Sequence, residues 1–426
     1  MSSKWLIVNV AGLGYDDILS RGLTHMGGLD FSPAKTVFPA MTCVAQASFR
    51  TASLPREHGI TANGYFFRDA CKAELWNQSS GLVKGSRIWE DARKAGKSVG
   101  MFFWQQSLGE NIDFIFSPAP IHKHSGGMIM DCLSHPAGIS NVLKKKCGAF
   151  PLYKYWGPMA HPSVGCKIID VVRTFISYSP ADIVFLYLPT LDYGLQRYGS
   201  ADARRKISFE NLQRQIEQLA ELAEDDERQM LVFGDYVISD VTKPAVFPNR
   251  TLRDAGLFTT RSVKNMLYAD LFYSRAFAMA DHEIAHVYVK YQEDIINVKN
   301  VLEKTGDYDE VTVRKPEYSW AHETSGDILL VARKGSWIAY PWWDKHNEAP
   351  DFASHVDIHS KPGYDPCELF FNTPLPLGVS QDTGRIKGTH GRNIEGVAFA
   401  SSVPLNLPSE PSIISIAESL SKEFIK

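Results

Sequence analysis

Long apolar runs are missing from this 426-residue chain. No stretch approaches the roughly 18 uninterrupted apolar residues of a membrane-crossing helix, so no membrane span is expected. Paired cysteines are missing too. Cys43, Cys71, Cys132, Cys147, Cys166 and Cys367 stand apart with no C-x-x-C pair, which argues against a disulfide framework and a thiolate zinc site. Cys43, beside Thr42, reads as small buried packing. Excess charge of one sign is also absent. The 45 Lys and Arg against 48 Asp and Glu leave a net charge of -3, too little to gather a nucleic acid polymer or an anionic membrane. Lys144-Lys145-Lys146 and Arg204-Arg205-Lys206 are short clusters that read as solvated helix faces. No internal repeat or low-complexity segment occurs. The opening MSSKWLIVNVAGLG has one basic residue and too short an apolar run for a secretory leader, so Trp5–Val10 is read as a buried strand and a cytoplasmic location is expected. The remaining composition, 44% hydrophobic and 22% charged, is that of an ordinary globular protein. Its length allows one large domain with an insertion, or two to three smaller ones. Nothing in the sequence sets the oligomeric state.

Short apolar runs at Trp5–Val10, Ser98–Phe103, Ile183–Leu188 and Met230–Phe233 read as strands buried on both faces. Between them, Ile207–Asp226 places Phe209, Leu212, Ile216 and Leu219 on one stripe, the pattern of an amphipathic helix. Ile88–Lys97 and Cys166–Ser177 read similarly. This alternation predicts an α/β fold: a mostly parallel, doubly wound sheet with helices on both faces and its site at the carboxyl ends of the strands. Over residues 251–372 the texture changes to short strands, Ala285–Lys290, Glu310–Arg314 and Ile328–Ala332, amid polar connections. That segment reads as a smaller α+β insertion into a core of residues 1–250 and 373–426. Val397–Ala400 is expected to return to the main sheet, and Ile414–Phe424 to form the last helix.

The segment Val37-Phe38-Pro39-Ala40-Met41-Thr42-Cys43 leads from a proline-containing loop into small residues suited to starting a helix. A hydroxyl at a helix N-terminus meets the positive end of the dipole and free backbone N–H groups, which stabilise an alkoxide and bind phosphate. Taken locally, Thr42 also reads as a simple N-cap.

The wider run FPAMTCVAQASFRTASLPREHGITANG resembles the nucleophile segment of the alkaline phosphatase superfamily, in its nucleotide pyrophosphatase/phosphodiesterase branch. There a Thr attacks phosphorus and is followed by small residues, a P-x-E-H-G-I run and an Asn. The likeness continues in order to the G-T-H-G at Gly388–Gly391, and a divergent subgroup shares FPLYKYWGP, LPTLDYGLQRYG and VDIHSKPGYDP. The resemblance implies an alkaline-phosphatase-like fold, Thr42 as nucleophile, and a two-cation site with six further ligands. Carried over residue by residue, the Asp that closes the first strand falls at Ala11, with Asn9 the nearest substitute. A D-x-x-x-H pair falls at Asp192 and Gln196, an Asp-His pair at Asp235 and Tyr236, and the last His at His390. Three of six ligands survive: Asp192, Asp235 and His390. The implied cofactor is one divalent cation (magnesium, manganese, calcium or zinc), with Gln196 helping to hold it, or none.

Replacement ligands are sought elsewhere. Asp357-x-His359 would share one face of an extended segment, as ligands or as a structural pair. Asp281-His282-x-x-x-His286 would form a metal pair on a helix, but Ala285–Val289 reads as a strand; His282 then stands as a candidate ligand and His286 as a substrate contact. Asn63 and Arg197 are candidate substrate groups, Arg197 pairing with a phosphate or a carboxylate. Tyr236 either donates to a phosphoryl oxygen or fills vacated volume. His58 is expected to order the loop beneath Thr42. The aromatics Trp76, Phe103, Trp104, Tyr153, Tyr155, Trp156 and Trp342-Trp343 could floor a planar substrate but read mainly as core. The function expected is a phosphodiesterase/nucleotide-pyrophosphatase-like phosphoester hydrolase acting on a small phosphorylated substrate through Thr42 with a reduced metal site. The alternative is a non-hydrolytic member of the fold that binds such a ligand or does other chemistry on it.

Overall fold

The computed structural model describes residues 4–372, 378–394 and 396–426. Its centre is an eight-stranded sheet in the order Cys132–His135, Phe114–Pro118, Val99–Phe102, Ile183–Leu188, Lys4–Val10, Arg228–Gly234, Val397–Ser401, Ser32–Ala34. The five strands from Phe114–Pro118 to Arg228–Gly234 run parallel, and the outer pairings are antiparallel. Along Lys4–Val10 the alternation of side chains builds two cores. Leu6, Val8 and Val10 join the cluster that holds the helices Val164–Tyr178 and Arg205–Asp225. Trp5 and Ile7 point the other way, into the cluster beneath the helices Thr42–Thr51 and Ile413–Glu423. The result is an α/β protein with helices on both faces of a mostly parallel sheet, as the alternating runs predict.

A second, antiparallel sheet joins Ala276–Asp281, Ile284–Val289, Ile328–Ala332 and Tyr308–Val313 in that order over its own apolar cluster. Three of these strands were legible as short apolar runs; Ala276–Asp281, flanked by polar turns, was not. The helix expected over Ile88–Lys97 is shorter, Glu90–Lys94, and Gly96 ends its last turn at a φ of 89°. The expected return to the core at residue 373 lies outside the described residues, as do residues 1–3 and 395. All six cysteines are free thiols. Among the described residues no helix is long and apolar enough to cross a membrane.

Candidate active site

Register sets Val10, Leu188 and Gly234 at one level on three adjacent strands. The loops that leave them therefore meet at a single rim, where they carry Gly12, Asp192 and Asp235. Thr42 arrives at this rim on the first turn of the helix Thr42–Thr51. The capping residue is Met41, which makes no side-chain cap bond, so the Thr42 hydroxyl is not spent as an N-cap. The start of the helix is locked from the far end of the chain. Ala40 N–H donates to Gly391 O at 3.0 Å, and His390 Nδ1–H donates to Ala40 O at 2.9 Å. Only glycine fits at 391, where φ is 126° and a Cβ would stand 2.6 Å from Met41 Cε. Beneath the helix, His58 Nε2 pairs with Ser48 Oγ at 2.8 Å and its Nδ1 accepts Ile60 N–H, so His58 orders this loop.

The Tyr236 phenol sits beside both the Thr42 hydroxyl and the Asp192 carboxylate in the wall of one cavity. Gln196 Nε2 donates to Asp192 Oδ1 at 2.8 Å, and Tyr364 donates its hydroxyl to Gln196 Oε1 at 2.8 Å. The two phenols are also the outer members of a column of rings. Tyr236 stacks on His390 at 3.6 Å, His390 faces His282 at 3.7 Å, and His282 stacks on Tyr364 at 3.7 Å. His282 reaches the column from the tip of the hairpin between Ala276–Asp281 and Ile284–Val289, where its φ is 59°. That left-handed conformation is costly for a residue with a Cβ. It is held by Ile338 N–H donating to His282 O (2.7 Å) and by Glu283 N–H donating to His390 O (2.8 Å).

Burial sets the charge of these groups. Desolvation lifts the Asp192 carboxyl to about 6, against hydrogen bonds from Gln196 and Tyr236 that oppose the shift. Desolvation likewise holds His282 and His390 well below the usual imidazole range, so both are neutral. Asp235 is fully buried; its Oδ1 accepts N–H bonds from Gly12 and Tyr236 at 3.0 Å each, while its Oδ2 has no partner among the described residues. Desolvation drives its carboxyl well above the ordinary carboxylate range.

These residues do not fit a two-cation centre. Among the described residues, no three of His, Cys, Asp and Glu gather as a cation would require. Gln196 spends both ends of its amide on Asp192 and Tyr364. His282 and His390 lie face to face, 35° from parallel, so their in-plane lone pairs run side by side rather than converging on one point. Asn9 gives its amide to Phe233 O and accepts from Gln46, and so is no substitute ligand. Residues 358–360 form a turn, not the extended segment expected of Asp357-x-His359. Asp357 Oδ1 faces His122 at 4.0 Å, whereas His359 Nδ1 approaches Leu75 O at 3.3 Å.

All three residues expected to touch substrate, Arg197, His286 and Asn63, are committed elsewhere. Arg197 donates to the carbonyls of Leu369, Ala160, Gly157 and Pro158, so it clamps loops and does not meet a phosphate at Thr42. His286, on a strand and not a helix, bridges Thr61 O and Gly326 N–H. Asn63 accepts Cys43 N–H at 3.0 Å and donates to Asp281 at 3.2 Å, tying the helix start to the hairpin.

The cavity above Thr42 is lined by Asp192, Tyr236, His282, His390 and Tyr364, and walled by Trp76, Tyr155, Trp156 and Tyr193. Among the described residues no lysine or arginine lines it. Phe103, Trp104, Trp342 and Trp343 are core, and Tyr153 is exposed. The residue that sequence reasoning missed is Tyr364; its signal was the stiff Lys361-Pro362-Gly363-Tyr364-Asp365-Pro366 turn.

A mostly parallel sheet with helices on both faces thus carries, at its carboxyl rim, a threonine that opens a helix. The chain belongs to the type I phosphodiesterase / nucleotide pyrophosphatase family, a family of phosphoester hydrolases, which it matches over residues 22–365. Its fold is similar to that of murine ectonucleotide pyrophosphatase / phosphodiesterase 5, at a TM-score of 0.59 and 15% identity over 99% of this chain and 95% of that one. An inactive variant of that murine protein in complex with AMP gives a TM-score of 0.60 at 15% identity, with the same coverage. Phosphonoacetate hydrolase from Sinorhizobium meliloti 1021, in complex with phosphonoacetate, gives 0.62 at 15% identity over 99% and 96%. No curated protein matches the chain.

Proposed function

We propose that this protein is a phosphodiesterase-like phosphoester hydrolase with Thr42 as its nucleophile. The observation that supports this best is the hydroxyl of Thr42, uncommitted as a cap, in reach of Tyr236, which in turn reaches Asp192. In the first step Thr42 Oγ bonds to phosphorus as the bond to the leaving alcohol breaks. The Thr42 proton passes through the Tyr236 hydroxyl to Asp192, and the leaving oxygen takes a proton from solvent. Water then attacks phospho-Thr42; Asp192 returns its proton through Tyr236, and the water's own proton leaves with the product. The positive end of the helix Thr42–Thr51 faces the phosphoryl group. No step is routed through a cation, because the donor set does not fit one. The free thiols support a cytoplasmic location.

A second reading is a non-hydrolytic binder of a small phosphorylated ligand. It is favoured by the ring column, which fills space beside Thr42. One experiment separates the two: turnover of aryl phosphodiesters and monoesters by the purified protein and by Thr42→Ala, with metal content measured on the same samples. Turnover lost in Thr42→Ala supports the hydrolase; binding without turnover in either protein supports the second reading; turnover that survives Thr42→Ala rules out the covalent step.

A further inference from the structure

We propose that His282 and His390 form a paired hydrogen-bond acceptor for the alcohol side of the substrate, which is then a flat ring bearing N–H or O–H groups. The inference rests on the reading of the Thr42 cavity as the active site and adds a substrate class to it.

The tautomers follow from the partners. The oxygen of Ala40 can only accept, so His390 carries its proton on Nδ1 and leaves Nε2 as a lone pair. The Asp281 carboxylate already accepts Asn63 N–H at 2.7 Å and Asn63 Nδ2 at 3.2 Å. It therefore takes a third donor from His282 Nδ1 at 2.7 Å, and His282 Nε2 is left as a lone pair too. Both rings line the cavity, and both are fixed within the stack.

The donors nearby are spent inward. Gln196 gives its N–H to Asp192, and Tyr364 gives its hydroxyl to Gln196. Tyr236 sits beside Asp192 and Thr42, at the far end of the ring column from Tyr364. Among the described residues no lysine or arginine lines the cavity, and the two imidazole Nε2 atoms are acceptors; the lining's unpartnered donors are the Trp76 indole N–H and the Tyr155 hydroxyl. Phosphoryl oxygens are themselves acceptors, so the phosphate belongs at the helix start beside Thr42, and a donor-bearing group belongs against the histidines. A ligand without donors leaves two imidazole lone pairs desolvated and unpaired. Trp76 and Trp156 give this part of the cavity flat apolar sides suited to a planar ring.

The test is a binding titration on the full chain carrying Thr42→Ala, read by tryptophan fluorescence. The probes are methyl para-aminophenyl phosphate and its N,N-dimethyl counterpart. The amine is expected to bind at least about tenfold more tightly, and His282→Phe, which keeps a stacking ring and leaves only the His390 acceptor, to shrink the difference. Nitrogen NMR of the imidazoles in the otherwise unaltered protein is expected to show both rings protonated at Nδ1, a readout that needs no variant. Equal affinity for the two probes, or an Nε2–H tautomer at either histidine, would overturn the proposal. Failure of the hydrolase reading shows separately, as absence of phosphoester turnover by the unaltered protein.

Discussion

The phenol of Tyr236 lies on the imidazole of His390 with ring centroids 3.6 Å apart and planes 7° from parallel, while its hydroxyl stands between Thr42 and Asp192. One side chain thus joins the ring column to the candidate nucleophile, and its two roles can be separated by removing a single oxygen.

Tyr236→Phe keeps the stack on His390 and removes the link from Thr42 to Asp192. Turnover of an aryl phosphodiester is expected to fall ~10²-fold, with a stability change of about 1 kcal/mol or less. Steady-state kinetics and urea unfolding on the same preparation check both.

Asp192 titrates at about 6 against an ordinary value of 3.8 because burial penalises its charge. The folded protein holds this proton to higher pH than the unfolded chain does. Its contribution to stability therefore falls as pH rises from about 4 to about 6, by up to roughly 3 kcal/mol, and is flat above. Activity runs the other way and climbs through pH about 6 as the base ionises. Asp192→Asn is expected to flatten the stability slope and to lower activity at every pH, measured by thermal melts and rate profiles over one buffer series. Asp281, also lifted to about 6 by burial, adds to the stability slope in the same direction.

How much of this could be read in advance depends on where each signal sits in the chain. Strands such as Ile183–Leu188 and the rim residues Thr42, Asp192, Asp235 and His390 carry local patterns, an apolar run or a motif at fixed spacing. Partner choice carries none. That Arg197 would be consumed by four carbonyls, that Gln196 would bridge Asp192 and Tyr364, and that His282 would be swung into the cavity by a left-handed turn all follow from contacts between distant segments. Tyr364 went unnoticed for the same reason: 168 residues separate it from the Gln196 that receives its hydroxyl.

Lys361 is fully buried between Asp365 (2.7 Å) and Glu368 (2.8 Å), and Glu368 also accepts Trp156 Nε1 at 2.6 Å. Lys361→Met would leave two buried carboxylates without their cation, at a cost of about 3–5 kcal/mol. Denaturant unfolding should show this as a lower midpoint. Because Trp156 and Tyr364 wall the cavity, weaker ligand binding should accompany it.

Chelation is the remaining discriminating treatment. Since the donors present do not converge, prolonged EDTA treatment is expected to leave ligand affinity and the thermal melt unchanged. Metal analysis of the untreated protein should return well under one equivalent. Stoichiometric metal removed together with affinity would show that the ring column rearranges around a cation.

The strained turn at His282 has a consequence for when the site exists at all. The pieces of the column come from positions 236, 282, 364 and 390, and Ile338 and His390 fix the turn through backbone hydrogen bonds. No fragment shorter than residues 236–390 carries them together. A ligand that selects this arrangement also selects the joined state of the two sheets, so its binding energy appears as resistance to protease cleavage in the hairpin. A protection assay could then rank ligands without any turnover being seen.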